Sequence, residues 1–142
     1  MTMPVPALIP SRSLRFAGYA ALFDIADGIK DTIKRGAFKR TLTQRREPLP
    51  LFFQHRPDQP IGQVELAEED ARGLRVIARI DNPDGRAAAL LRDKAISGLS
   101  FGYRARRYRL TDEGRELDDI ELLEVSLVEH PLQSRARVHL VA

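Results

Sequence analysis

Turn residues punctuate this chain so that it reads as strands joined by turns, with room for only short helices. Pro48, Pro50, Pro57, the Asn82-Pro83-Asp84-Gly85 run and the Asp112–Gly114 stretch break it at close intervals. Between these breaks the apolar residues recur with period two or sit in β-branched runs. Residues 14–24 (LRFAGYAALFD) form an opening strand that bends at Gly18. DIADGIKDTI (24–33) is a polar loop that closes on a short extended piece. PLPLFF ends abruptly in Gln54-His55-Arg56-Pro57, and IGQVELAEED and GLRVIARID form a hairpin that turns at residues 70–73. Further strands are expected at 98–109, 116–129 and 136–141. Only RGAFKRTLTQRR (35–46), with Phe38 and Leu42 four apart, and RAAALLRDKAI (86–96), with Asp84 as its expected N-cap, carry helical signals. Six or seven strands with two short helices make a β-rich α+β domain and exclude an alternating βαβαβ fold.

At 142 residues the chain is expected to be one domain over 14–142, preceded by a flexible leader over 1–13. That leader has two prolines before Ile9 and no basic start, so it does not read as a signal peptide. The hydrophobic share of 43% and charged share of 30% are those of a globular protein. No apolar run approaches the length of a membrane span. With no cysteine there is neither a disulfide framework nor thiolate chemistry. The net charge of +3 is a mild excess, and the basic residues alternate with acidic stretches such as ELAEED (65–70), the pattern of a solvated surface. Tyr103 and Tyr108 among their arginines make only a weak case for nucleic acid, and none is expected as a partner.

One stretch, SGLSFGY (97–103), places a serine between two glycines inside a strand. Read literally, Gly98-Leu99-Ser100-Phe101-Gly102 matches the G-x-S-x-G pattern of a nucleophile elbow. In a strand, Leu99, Phe101 and Tyr103 share the inward face, while Ser100, Gly102 and Arg104 share the other. A glycine beside the serine leaves room for a substrate backbone, although a serine on a wet face with glycines at bulges fits the same pattern. A serine hydroxyl needs a neighbouring base to become a nucleophile. Three histidines are available. His139, between Val138 and Leu140, has the character of a packed or edge residue. His55 stands where an apolar strand meets a proline-bearing loop. Along IELLEVSLVEH (120–130), Leu123, Val125 and Leu127 point one way and Glu124, Ser126 and His130 the other. A buried Glu124 needs a partner, and spacing alone leaves an imidazole and an arginine equally open. No His-x-x-x-His or histidine–carboxylate cluster appears, and DIADG (24–28) lacks the remaining ligands of a calcium loop, so neither metal nor cofactor is expected.

Taken together, GYAALFD (18–24), RGAFKRTL (35–42), LFFQHRPDQPIGQV (51–64), GLRVIARI (73–80), ISGLSFGY (96–103) and LLEVSLVEHP (122–131) resemble the prohead proteases of tailed phages. These capsid-maturation serine proteases are similar in fold to the herpesvirus assemblins. The resemblance covers residues 14–140. It implies a compact, mostly antiparallel β-barrel with a few short flanking helices, which cleaves scaffold protein or the scaffolding extension of the major capsid protein inside an immature capsid. His55 matches the family's catalytic histidine, Ser100 its nucleophile and Glu124 its acidic third member. His130 is a reserve for that third role, because herpesvirus relatives use a second histidine there. After the EVSLV block the family continues with small residues, prolines and an asparagine, whereas this chain reads EHPLQSRAR (129–137). The resemblance places Arg135 and Arg137 in the oxyanion region, where the residues alone read as surface charge. It also implies a homodimer and, as location, the cytoplasm of the bacterial host within an assembling phage or gene-transfer-agent-like particle.

Two other classes fit parts of the pattern. A small α/β-hydrolase esterase would take Ser100, Glu124 and His130 in that fold's triad order, but the chain lacks its strand–helix alternation and its oxyanion loop. A catalytically silent barrel that binds scaffold or capsid protein would need no intact serine–histidine pair.

Overall fold

The computed structural model describes residues 13–142. Apart from Ser13, the expected leader lies outside the described residues. Eight strands form one sheet: β1 (Leu14–Leu22), β2 (Asp31–Ile33), β3 (Leu49–Phe53), β4 (Arg56–Glu69), β5 (Gly73–Ile80), β6 (Gly98–Thr111), β7 (Gly114–Val128) and β8 (Val138–Val141). Two helices join them, α1 (Lys39–Gln44) and α2 (Arg86–Arg92). Along the sheet β8 pairs with β1, β1 with β5, β5 with β4, and β4 with β3, all antiparallel. β3 then runs parallel to the C-terminal part of β7, β2 runs parallel to its N-terminal part, and β6 covers its other edge antiparallel. The sheet curls until its far ends meet. Gly98 bridges to Arg137, Leu99 N donates to Ala136 O (2.8 Å) and Val138 N donates to Ser97 O (2.8 Å). The barrel-like, mostly antiparallel architecture is thus the one expected from the sequence.

The concave face of this sheet is the core. Phe16, Leu51, Leu74, Leu99, Leu117, Ile120 and Leu127 are fully buried on it, and Phe38 from the turn before α1 stacks edge-on to Phe101 at 5.5 Å. Period-two placement of apolar residues on each strand produces this inward face. One expectation fails at a bulge. Gly102 pairs with Glu124 but Tyr103 pairs with Leu122, so Leu123 is the extra residue on β7. The bulge reverses the alternation, leaving Leu123 exposed while Leu122 and Ile120 turn inward.

Both helices are shorter than their patterns. Residues 35–38 turn through Gly36 at φ +88° before α1 begins, and Glu69 of β4 accepts Gly36 N (2.9 Å) and Phe38 N (2.8 Å). A carboxylate from a distant strand therefore does the work of a local cap. The N-cap of α2 is Gly85, not Asp84, and no side chain caps it. Its end is a Schellman motif: Lys94 takes φ +60°, Ala95 N donates to Leu90 O and Lys94 N to Leu91 O. β4 starts at Arg56, five residues earlier than the hairpin reading gave.

Candidate active site

Between β3 and β4, Phe53 pairs with Arg56, so Gln54 and His55 alone make the turn. Both have positive φ, 56° and 59°, the geometry of a two-residue type I′ hairpin. That turn favours Asn-Gly, and each non-glycine residue in it is strained by roughly 1 kcal/mol. Neighbouring groups on β7 and just past its end hold it. Gln54 N donates to Leu127 O (2.9 Å), Gln54 Oε1 accepts from Glu129 N (3.1 Å), and His55 N donates to Ser126 Oγ (3.2 Å). The strand register makes these bonds possible, because β3 and β7 pair at Phe52–Ser126 and Phe53–Leu127.

From this turn the imidazole lies against β7. His55 Nδ1 sits 3.0 and 3.1 Å from the two oxygens of Glu124. The carboxylate is buried, with its side chain 9% exposed, whereas the His55 side chain is 43% exposed. Glu124 also accepts Ser126 Oγ at 2.8 Å. A carboxylate bonded to Nδ1 fixes the tautomer and leaves Nε2 as the free ring nitrogen. Of the two partners the sequence left open for Glu124, the fold supplies the imidazole.

Ser100 enters from the opposite flank of β7. It pairs with Ser126, while Gly102 pairs with Glu124, so the residues of β6 and β7 on this face lie directly opposite one another. The serine is 4% exposed, and its hydroxyl makes no hydrogen bond among the described residues. Catalytic hydrogen bonds are commonly long or absent before substrate binds. The two glycines around it serve packing. A Cβ on Gly102 would lie 3.0 Å from the Glu124 carboxyl carbon, and one on Gly98 would lie 2.7 Å from Pro131 Cδ and from Val128 O. The run is continuous strand over 98–111 with no positive φ at Ser100. It is therefore not a strand-to-helix elbow, and the α/β-hydrolase reading is excluded.

The other candidates lie elsewhere. His130 follows the end of β7, is 95% exposed at its side chain and faces Glu129 at 3.7 Å. The Nδ1 position it would have served belongs to Glu124. Arg137 donates to Ser134 O and Ser97 Oγ, and Arg135 is exposed. Gln133, buried beneath them, bonds both the N and the O of Leu22 and so pins this segment to β1. His139 packs edge-on against Tyr19 at 5.6 Å. Three of the four arginines of β6 are held in ion pairs: Arg104 and Arg106 with Glu121, and Arg109 with Glu116. Ser126 was visible in the sequence on the same face as Glu124. Its bond from His55 N was not, since that donor lies in a turn 71 residues away.

A curled β-rich sheet with two short helices has fold counterparts among viral proteases. The KSHV protease solved with a hexapeptide phosphonate inhibitor superposes with a TM-score of 0.62 at 13% identity, over 92% of this chain and 65% of that one. The varicella-zoster virus protease gives 0.57 at 18%, over 89% and 63%. The capsid assembly protease of bacteriophage T4 gives 0.63 at 14%, over 80% of each chain. The sequence is more specific than the fold. Residues 5–142 match the caudovirus prohead serine protease family, and the chain belongs to it. The prohead protease of Enterobacteria phage HK97 is 29% identical in an alignment 130 residues long that covers 87% of this chain and 58% of that relative's length.

Proposed function

We propose that this chain is the serine endopeptidase of capsid maturation in a phage or phage-like particle, cleaving scaffold protein or the scaffolding extension of the major capsid protein within the prohead. The observation that carries the reading is the hold of a buried Glu124 on His55 Nδ1, on the face where Ser100 opposes Ser126, in a member of this family. Ser100 Oγ attacks the scissile carbonyl carbon while His55 Nε2 takes its proton. The tetrahedral intermediate collapses as the C–N bond breaks, and the departing amine takes that proton from the imidazolium. Water, deprotonated by the same ring, then releases the acyl group from Ser100. Glu124 keeps Nδ1 protonated and stabilises the imidazolium as it forms. The oxyanion region is assigned to the segment carrying Arg135 and Arg137, which the Gly98–Arg137 bridge ties to the start of β6, two residues before Ser100.

A homodimer belongs to the same proposal, and sedimentation velocity reads it. For location, no helix among the described residues is long and apolar enough to cross a membrane, in keeping with the interior of a procapsid in the host cytoplasm.

The test is co-expression with the scaffold and major capsid protein of the same particle, wild type against Ser100→Ala, read by intact-mass spectrometry. New termini formed only by the wild type support the proposal. Identical masses with the proteins still associated would replace it with the catalytically silent scaffold-binding barrel.

A further inference from the structure

We propose that Ser126 is a positioning residue, one hydroxyl that ties the Glu124 carboxylate to the backbone of the His55 turn and so sets both the placement of the imidazole and the charge it meets. The inference rests on the serine-protease reading of Ser100 and His55. Ser126 is completely buried, so water cannot satisfy its hydroxyl. The single proton goes to Glu124, 2.8 Å from Oε1 and 3.2 Å from Oε2. The lone pairs accept His55 N at 3.2 Å. That N–H belongs to a left-handed residue in a two-residue turn. Without Ser126 it would lose its one bond to β7, leaving Gln54 N on Leu127 O as the turn's remaining backbone anchor there.

Two elements thus meet at one oxygen, and a third lies across from it. β7 provides the hydroxyl and the carboxylate, the β3–β4 turn provides the imidazole, and β6 places Ser100 directly across the strand pair from Ser126. A residue needed only to fill space here could be alanine. A hydroxyl that donates to the carboxylate also draws part of its negative charge away from the imidazole. Among the described residues, Glu124 is the ionisable group in contact with the His55 ring, while the Glu129 carboxylate faces His130 instead. The effect of Ser126 on proton transfer therefore passes through Glu124.

The experiment measures covalent labelling of the full chain by diisopropyl fluorophosphate as a function of pH. In this reaction Ser100 Oγ forms a bond to phosphorus, fluoride leaves, and the proton passes to His55. The rate of labelling rises with pH as the imidazole loses its proton. In Ser126→Ala the plateau rate is expected to fall roughly ten- to a hundredfold, the range for one hydrogen bond to a charged group. The acidic limb is expected to move to higher pH, because a carboxylate that no longer shares its charge holds the imidazolium more firmly. Ser126→Cys, close in volume but a poor donor, is expected to show the same shift, which keeps the test open if the alanine variant does not fold. Ser126→Thr, which retains a hydroxyl, should return the limb toward its wild-type position. A limb that stays in place in the alanine or cysteine variant, whatever the plateau does, overturns the positioning role. Wild type that is not labelled at Ser100, or labelling undiminished by His55→Ala, overturns the reading of the site itself.

Discussion

At Gly102 a single added atom would bear directly on the site. The side chain of Glu124 crosses directly over its Cα, and a Cβ there would meet the carboxyl at 3.0 to 3.1 Å. Gly102→Ala should shift the carboxylate by a few tenths of an ångström against the imidazole. Cleavage is expected to fall on the order of tenfold, less than the loss an ångström-sized misplacement brings, while the circular dichroism spectrum stays that of the folded protein. Glu124→Gln probes charge rather than place. The amide can keep a hydrogen bond to the ring but cannot balance an imidazolium. A loss of kcat on the order of 10³–10⁴-fold is expected without unfolding. An unfolded Glu124→Gln variant would instead mark the carboxylate as a structural anchor.

At the scale of elements, distant strands repeatedly supply what local sequence lacks. Glu69 caps the turn into α1 from β4, and Glu69→Ala should cost about 1 kcal/mol, read as a lower midpoint in urea. The short β2 is held on β7 by Asp31, almost fully buried, which accepts both Arg115 Nε and Nη2 at 2.8 Å and Tyr103 OH at 2.5 Å. The Arg115 hydrogen bonds, reinforced by the tyrosine, hold the Asp31 carboxyl below its ordinary value of 3.8 in spite of its burial. The folded protein then keeps Asp31 ionised at a pH where the unfolded chain protonates it. Its contribution is complete above that ordinary value and fades as the pH falls below it toward the folded value. Asp31→Asn should lower stability by about 1.5–3 kcal/mol at neutral pH and flatten the fall below pH 3.8. Thermal melts of both proteins across that range check the sign.

For the whole molecule, closure of the sheet is the step that brings the Arg135–Arg137 segment beside the start of β6. β1 lies so close to this seam that a Cβ on Gly18 would sit 2.9 Å from Val138 Cα and from Leu99 Cδ1, and against Arg137 O. Tyr19 N donates to Arg137 O on the same seam (3.2 Å). Gly18→Ala is expected to cost roughly 1–3 kcal/mol by overpacking. Amide exchange of Leu99 and Val138, the donors that close the seam, should quicken before that of the β4–β5 ladder. Equal protection at both places would show that the seam is not the weak edge.

Period and punctuation were enough to define the β-rich class, the order of strands and helices and the inward face of β6, because those depend on residues near one another in the chain. The candidates His55, Ser100 and Glu124 were legible as well, each at a chemically marked position. The sequence could not decide what they touch. Whether Glu124 meets an imidazole or an arginine depends on the parallel pairing of β3 with β7, a contact between residues some 70 positions apart. The Gln54-His55 turn carries no glycine or asparagine, so nothing local announced its left-handed geometry; bonds from Ser126, Leu127 and Glu129 impose it. The same holds for the Leu123 bulge and the Glu69 cap. Local pattern determines where strands run and which face is apolar, whereas a polar site, assembled from partners that only the pairing of distant strands brings together, is decided by the tertiary structure.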